Sequence, residues 1–126
     1  TRIGYKTNYM PGFWYSETNH QVDNNFEDIS DICNFLKLNS KLNHNKSILI
    51  FNKVPELNAI SEDKINEWIK NALVRAKKNK IYGKELTPFL IKEINNFSNN
   101  KTLTANISLI INNANLAGKI AKNFYS

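Results

Sequence analysis

One stretch constrains the fold more than any other. Leu103, Ile107, Ile110, Ala114, Ala117, Ala121 and Phe124 recur at alternating steps of four and three. That spacing puts them on one face of a helix. A helix from about Thr104 to near Asn123 with such a stripe is expected to pack along a core by that face. A preceding helix opens at Thr87-Pro88, with Thr87 as its cap and Pro88 at its first position. Phe89, Leu90, Ile94 and Phe97 are its apolar residues, and Ser98 to Lys101 is a polar break. Beside the long stripe runs a row of asparagines. Asn is a poor helix former, so the row asks for a reason. Asparagine makes up 22 of the 126 residues, often in pairs, so compositional drift explains much of it and no single Asn carries much weight alone.

The rest of the chain adds a little sheet. Thr1 to Gly4 reads as the end of a strand, Met10-Pro11-Gly12 as a turn, and Phe13-Trp14-Tyr15 as strand-prone. Ser16 to Asn25 is a polar loop. A helix from about Phe26 to Leu38, extending at most to Leu42, has Asp23 or Asn25 to cap it and Phe26, Ile29, Cys33 and Leu36 on its buried face. Leu38 to Lys46 is a polar linker. Ser47 to Asn52 is a strand whose continuous apolar centre suggests burial on both faces. Ser61 caps a long helix with Ile65, Trp68, Ile69, Ala72, Leu73 and Ala76 inward. The order strand, helix, strand, helix, helix, helix fits an α/β layered fold. So few strands make no stable sheet alone, so missing chain or a partner is expected, with residues 1–126 one segment without an internal boundary and its sheet incomplete.

Composition excludes several classes. No apolar run approaches the roughly 20 residues that cross a bilayer. The single Cys33 has no internal disulfide partner and sits on an apolar helix face, which favours a core thiol and a reduced, intracellular setting, with the cytoplasm expected. The net charge of +6 permits nucleic-acid binding. The basic residues are dispersed, however, and Lys77, Lys78 and Lys80 suit a helix C-terminus. Stacking of single-stranded nucleic acid on Phe13, Trp14 and Tyr15 is the alternative reading. A catalytically degenerate homologue acting as a helical interaction piece is another.

Few residues point to chemistry. His20 and His44 stand in polar loops without metal-ligand spacing. Glu56, Glu62 and Asp63 are explained as loop or helix-start residues. The better candidates are polar residues at element ends. Asn52 ends a strand, the usual ligand position in an open α/β sheet. Thr87 stands at a helix N-terminus, where free N–H groups hold anions. Asn106 and Asn113 lie seven apart on one helix edge. Their amides offer donors and an acceptor to a uracil-like edge. Read alone, these are a strand-end cap, a helix cap and drift.

The same residues carry a family resemblance. Gly83-Lys84-Glu85-Leu86-Thr87-Pro88-Phe89-Leu90 resembles the GKxxTPFLL motif of pseudouridine-5′-phosphate glycosidases. Leu103 to Ile110, followed by Asn112-Asn113-Ala114 and Leu116-Ala117, resembles their SLxANIALVxNNAxLA helix. Gly4 to Thr7 with Pro11-Gly12-Phe13, and Ile48 to Glu56, resemble two further motifs in the family's order. Asn8, Tyr9 and Met10 replace the family's acidic pair and Phe, Asn19-His20 replace a Ser-Gly, and Lys53 replaces a Pro.

The resemblance implies reversible splitting of the carbon–carbon glycosidic bond of pseudouridine 5′-phosphate to uracil and ribose 5-phosphate. It further implies a lysine Schiff base, a proton-transferring glutamate, Mn²⁺ and a homotrimer, with this chain the C-terminal part of a larger α/β/α domain. It places the lysine, the glutamate and the metal ligands upstream of Thr1, so no catalytic or metal-binding residue is expected in this chain. Asn106, Asn52 and Thr87 are then the expected substrate contacts, Asn106 foremost, with Asn113 a brace. The partners implied are the substrate and the remaining, N-terminal part of the same protein; no membrane is expected, and nucleic acid is disfavoured.

Overall fold

A computed structural model describes residues 1–42 and 47–126. The expectation for His44, and the end of the linker to Lys46, lie outside the described residues. Three strands form one parallel sheet in the order β2-β1-β3: β1 is Arg2–Tyr5, β2 Asn24–Phe26 and β3 Leu49–Phe51. Four helices complete the layout: α1 Ile29–Lys41, α2 Glu62–Lys78, α3 Leu86–Phe97 and α4 Lys101–Tyr125. The mixed α/β class follows expectation.

β1 is central because its residues suit burial on the helix side, where Ile3 is wholly buried. β2 is the strand the sequence hid. Asn24-Asn25 has low strand propensity, and the strand is fixed instead by Asp23. Its Oδ1 accepts from Arg2 Nη2 at 2.7 Å, and its Oδ2 accepts the Arg2 backbone N–H at 2.8 Å. These bonds hold the Asp23 carboxyl below its usual pKa. Phe26, expected on the helix, ends β2 and meets the ring of Phe35 in α1 at 5.7 Å. α1 therefore begins at Ile29, after Asp28 rather than Asp23 or Asn25. Phe13 to Tyr15 form no strand. Pro11 cannot donate to a ladder, and the Trp14 carbonyl accepts from Ile60 N–H at 2.8 Å instead.

The core lies where α1 meets α4 and where α2 meets α3. Ile32 and Cys33 of α1 are buried, and the Cys33 thiol donates to the Ile120 carbonyl of α4 at 3.5 Å. α2 buries Ile65, Ala72 and Ala76, as expected, while Leu73 is exposed. Arg75 of α2 bonds Glu93 of α3 at 2.7 Å and lies over the Phe97 ring.

Two further expectations fail. β3 is not buried on both faces: Ile48 and Ile50 point to the helices, but Leu49, on the opposite face, is 58% exposed. Nor does α4 pack by its expected stripe. Its buried residues are Thr102, Ala105 and Leu116, while Leu103, Ile107 and Ile110 are about half exposed or more. At 3.6 residues per turn the two faces lie roughly 130° apart. α4 is apolar on both, and the described residues cover only one.

Candidate functional site

The carboxyl ends of parallel strands are where an open α/β sheet presents ligand groups. Here β1 runs into Lys6-Thr7, β2 into Glu27 and β3 into Asn52-Lys53. Lys6 adopts a left-handed φ of 56°, and its N–H caps the Phe26 carbonyl at 2.9 Å. The chain turns back so closely that a Cβ on Gly4 would collide with the Thr7 carbonyl. Only glycine fits there. Thr7 is thereby buried, with its N–H on Asn25 Oδ1 at 3.0 Å and its hydroxyl within reach of the Tyr9 carbonyl and Glu17 Oε1. Glu17 also pairs with Lys53 at 3.4 Å.

This end of the sheet is stitched to α4 by asparagines. Asn52 Nδ2 donates to Asn113 Oδ1 at 3.2 Å, and Asn112 Nδ2 donates to the Lys53 carbonyl at 3.0 Å. One turn earlier, Ser108 donates to Asn58 Oδ1 at 2.9 Å. Asn52 and Asn113 stand at one end of a mainly apolar groove of about 650 Å³, lined also by Leu36, Ile50, Ile120 and Phe124.

Asn106 belongs elsewhere. It lines a separate pocket of about 210 Å³ with Phe13, Trp14, Pro88, Lys92 and Leu103. The residues from Lys6 to Val22 fold into an arm whose limbs join at the Tyr9–Gln21 bridge and by Met10 N–H to the His20 carbonyl at 2.7 Å. Its tip carries Phe13 and Trp14 to the pocket, and the Trp14 carbonyl bond to Ile60 anchors it there. Asn52, Asn58, Asn112 and Asn113 each spend a side-chain atom on a bond within the chain. Asn106 is half-buried, and its amide is engaged by none of the described residues.

Thr87 is not the cap of α3. Gly83, at φ 61°, opens a 3-10 turn that runs directly into the helix, so Leu86 is its first residue. Thr87 lies in the first turn and is exposed, and Pro88 is tolerated because the first four helical N–H groups need no carbonyl. The structure thus brings Asn52 to Asn113, sets Asn106 beside Pro88 and leaves Thr87 outside both pockets. Sequence reasoning missed the Thr7–Glu17–Lys53 cluster, whose members are 10 and 36 residues apart. The tight Gly4 turn was the one signal in that region.

Among the described residues no group of three or more His, Cys, Asp and Glu side chains could hold a metal ion. No helix among them is long and apolar enough to cross a membrane.

Comparison with known proteins shows the family and the fold. A relative from Kosmotoga olearia named pseudouridine-5′-phosphate glycosidase is 42% identical over 96% of this chain and 42% of its own length. One of the same name from Petrotoga mobilis is 39% identical over 97% of this chain and 40% of its own. The chain therefore spans about two fifths of the length of the curated relatives it matches. A solved indigoidine synthase A-like protein from Thermotoga maritima superposes with a TM-score of 0.79 at 29% identity, over 95% of this chain and 39% of that one. A prealnumycin C-glycosynthase shares the fold, with a TM-score of 0.88 at 22% identity over 98% of this chain and 40% of that one. The family described as indigoidine synthase A like protein matches residues 1–123. With the resemblance to pseudouridine-5′-phosphate glycosidases borne out at this level, the chain belongs to the indigoidine synthase A-like protein family.

Proposed function

We propose that this chain is the C-terminal portion of an enzyme that reversibly splits pseudouridine 5′-phosphate, with water, into uracil and ribose 5-phosphate. The observation that carries the reading is the near-complete match, at 34–42% identity, to relatives bearing that enzyme's name. The exposed stripe of α4, the exposed Leu49 and the β3 edge without a partner among the described residues support the fragment part of it. Apolar surface of that extent normally lies against further protein.

The bond broken joins two carbons, so protonating a leaving oxygen does not help. A lysine amine bonded to the anomeric carbon of the opened sugar drives the cleavage with its lone pair: an iminium forms at that carbon, the electrons of the broken bond leave with the base, whose carbon takes a proton, and water then releases ribose 5-phosphate from the Schiff base. That lysine, the proton-transferring glutamate and the divalent-metal ligands belong, in this reading, to the N-terminal part. A homotrimer completes the assembly. The role of this segment is recognition. The Asn106 amide reads a polar edge of the base or sugar. Asn52 and Asn113 brace the strand end against α4, and Thr87 makes a minor contribution at most.

The test is uracil release from pseudouridine 5′-phosphate by the full-length polypeptide with Mn²⁺ added. Release is expected from the full-length polypeptide and absent from residues 1–126 alone. Turnover by the isolated segment would refute the placement of the nucleophile.

A further inference from the structure

Resting on that reading, we propose that Phe13 and Trp14 form the stacking wall of a pyrimidine subsite whose polar edge is Asn106. Phe13 is 53% exposed, and its ring meets Trp14 edge-on with centroids 4.9 Å apart. A large aromatic half in solvent contributes little to the core. Exposed Phe13 and part-buried Trp14 line the same pocket as an amide that is unengaged among the described residues.

The pocket's size and lining select the ligand. At about 210 Å³ it lies below the roughly 300–1,000 Å³ of sites that take whole ligands. It suits one planar ring, with the remainder of the substrate outside. Its lining is apolar apart from Asn106, Asn95, Thr102 and Lys92. Two of those are already committed, since the Thr102 hydroxyl lies 3.3 Å from Asn95 Oδ1 and 3.0 Å from the Ser98 hydroxyl. A single lysine is a poor phosphate site. A neutral ring with adjacent carbonyl and N–H groups, as on uracil, matches both halves of an amide. Lys92 lines the same pocket, and a cation there favours negative charge as it develops on a ring carbonyl during departure of the base. Aromatic faces hold such rings.

The arm gives the wall its position. Its anchor is the Trp14 carbonyl, which accepts from Ile60, so changing either ring leaves that bond intact. Uracil and ribose 5-phosphate binding to the full-length polypeptide, measured by calorimetry, tests the proposal. Trp14→Leu should weaken uracil about tenfold, within the range for one stacked base, and leave ribose 5-phosphate unchanged. Trp14→Phe should restore most of the loss. Phe13→Ser, at a half-exposed position that the core does not need, should weaken uracil by a smaller factor and decides the matter if Trp14→Leu does not fold.

Uracil affinity unmoved by these changes, or both ligands weakened equally, would overturn the subsite. So would a wild-type polypeptide that binds no uracil. If pseudouridine 5′-phosphate is cleaved but the Trp14 and Phe13 variants bind uracil normally, the subsite falls and the proposed function stands. If uracil binding behaves as expected without cleavage, the proposed function falls and the subsite stands.

Discussion

Asn113 and Asn106 occupy the same edge of α4, two turns apart, yet they answer to different demands. Asn113 is spent: its carbonyl oxygen takes the Asn52 amide, and with Asn112 it fastens α4 to the end of β3. Asn106 is unengaged among the described residues, half-buried beside two aromatic rings. Hydrogen bonds within the chain mark the first region as scaffold. The second leaves a donor and an acceptor without partners among the described residues and open to solvent, available to a ligand. Residue type separates nothing here; what each amide touches does.

The largest effect expected to separate the regions is at Asn106. Asn106→Ala in the full-length polypeptide should lower kcat/KM for pseudouridine 5′-phosphate by about 10–100-fold with thermal stability unchanged, the cost of a lost hydrogen bond to a buried ligand group. Loss of stability with intact turnover would make Asn106 a second brace. Gly4→Ala comes next. The added Cβ forces the Thr7 carbonyl aside, and denaturant unfolding should register a loss of about 1–3 kcal/mol, as for other overpacked sites. Asn113→Ala should cost at most about 1 kcal/mol of stability and change turnover by less than about threefold. A large loss of turnover would erase the contrast with Asn106.

The smallest effect concerns Asp23, remote from both pockets. Its carboxyl is held below the usual range by the bonds from Arg2. A depressed folded pKa gives stability that is present above the unfolded value of about 3.9 and is lost as pH falls below it. Asp23→Asn should therefore remove that small contribution at neutral pH, leave stability in strong acid unchanged, and so flatten the acid limb of a stability-versus-pH curve. An acid limb as steep as in the wild type would show that this ion pair adds no stability.

Legibility in the sequence followed local physics. Helices with strong period and clear ends, such as α2 after Ser61, were readable to within a residue or two. β2 was hidden because two asparagines and a phenylalanine form a strand only through Asp23 and Arg2. The packing face of α4 was misread because the helix is apolar on two sides. The regular four-three stripe belongs to the side that the described residues leave exposed. At the candidate site, Asn52 ends its strand as expected, but its engagement with Asn113 spans 61 residues and no local pattern encodes it. Phe13 and Trp14 were legible as residue types suited to stacking, but their expected strand does not form. Phe13 and Trp14 sit on an arm whose position depends on Ile60.

The central claim is that this segment serves the cleavage of pseudouridine 5′-phosphate, and uracil release by the full-length polypeptide tests it most directly. The account predicts Mn²⁺-supported release of uracil that Asn106→Ala cuts about 10–100-fold. A folded full-length polypeptide that releases no uracil with Mn²⁺ present would contradict it.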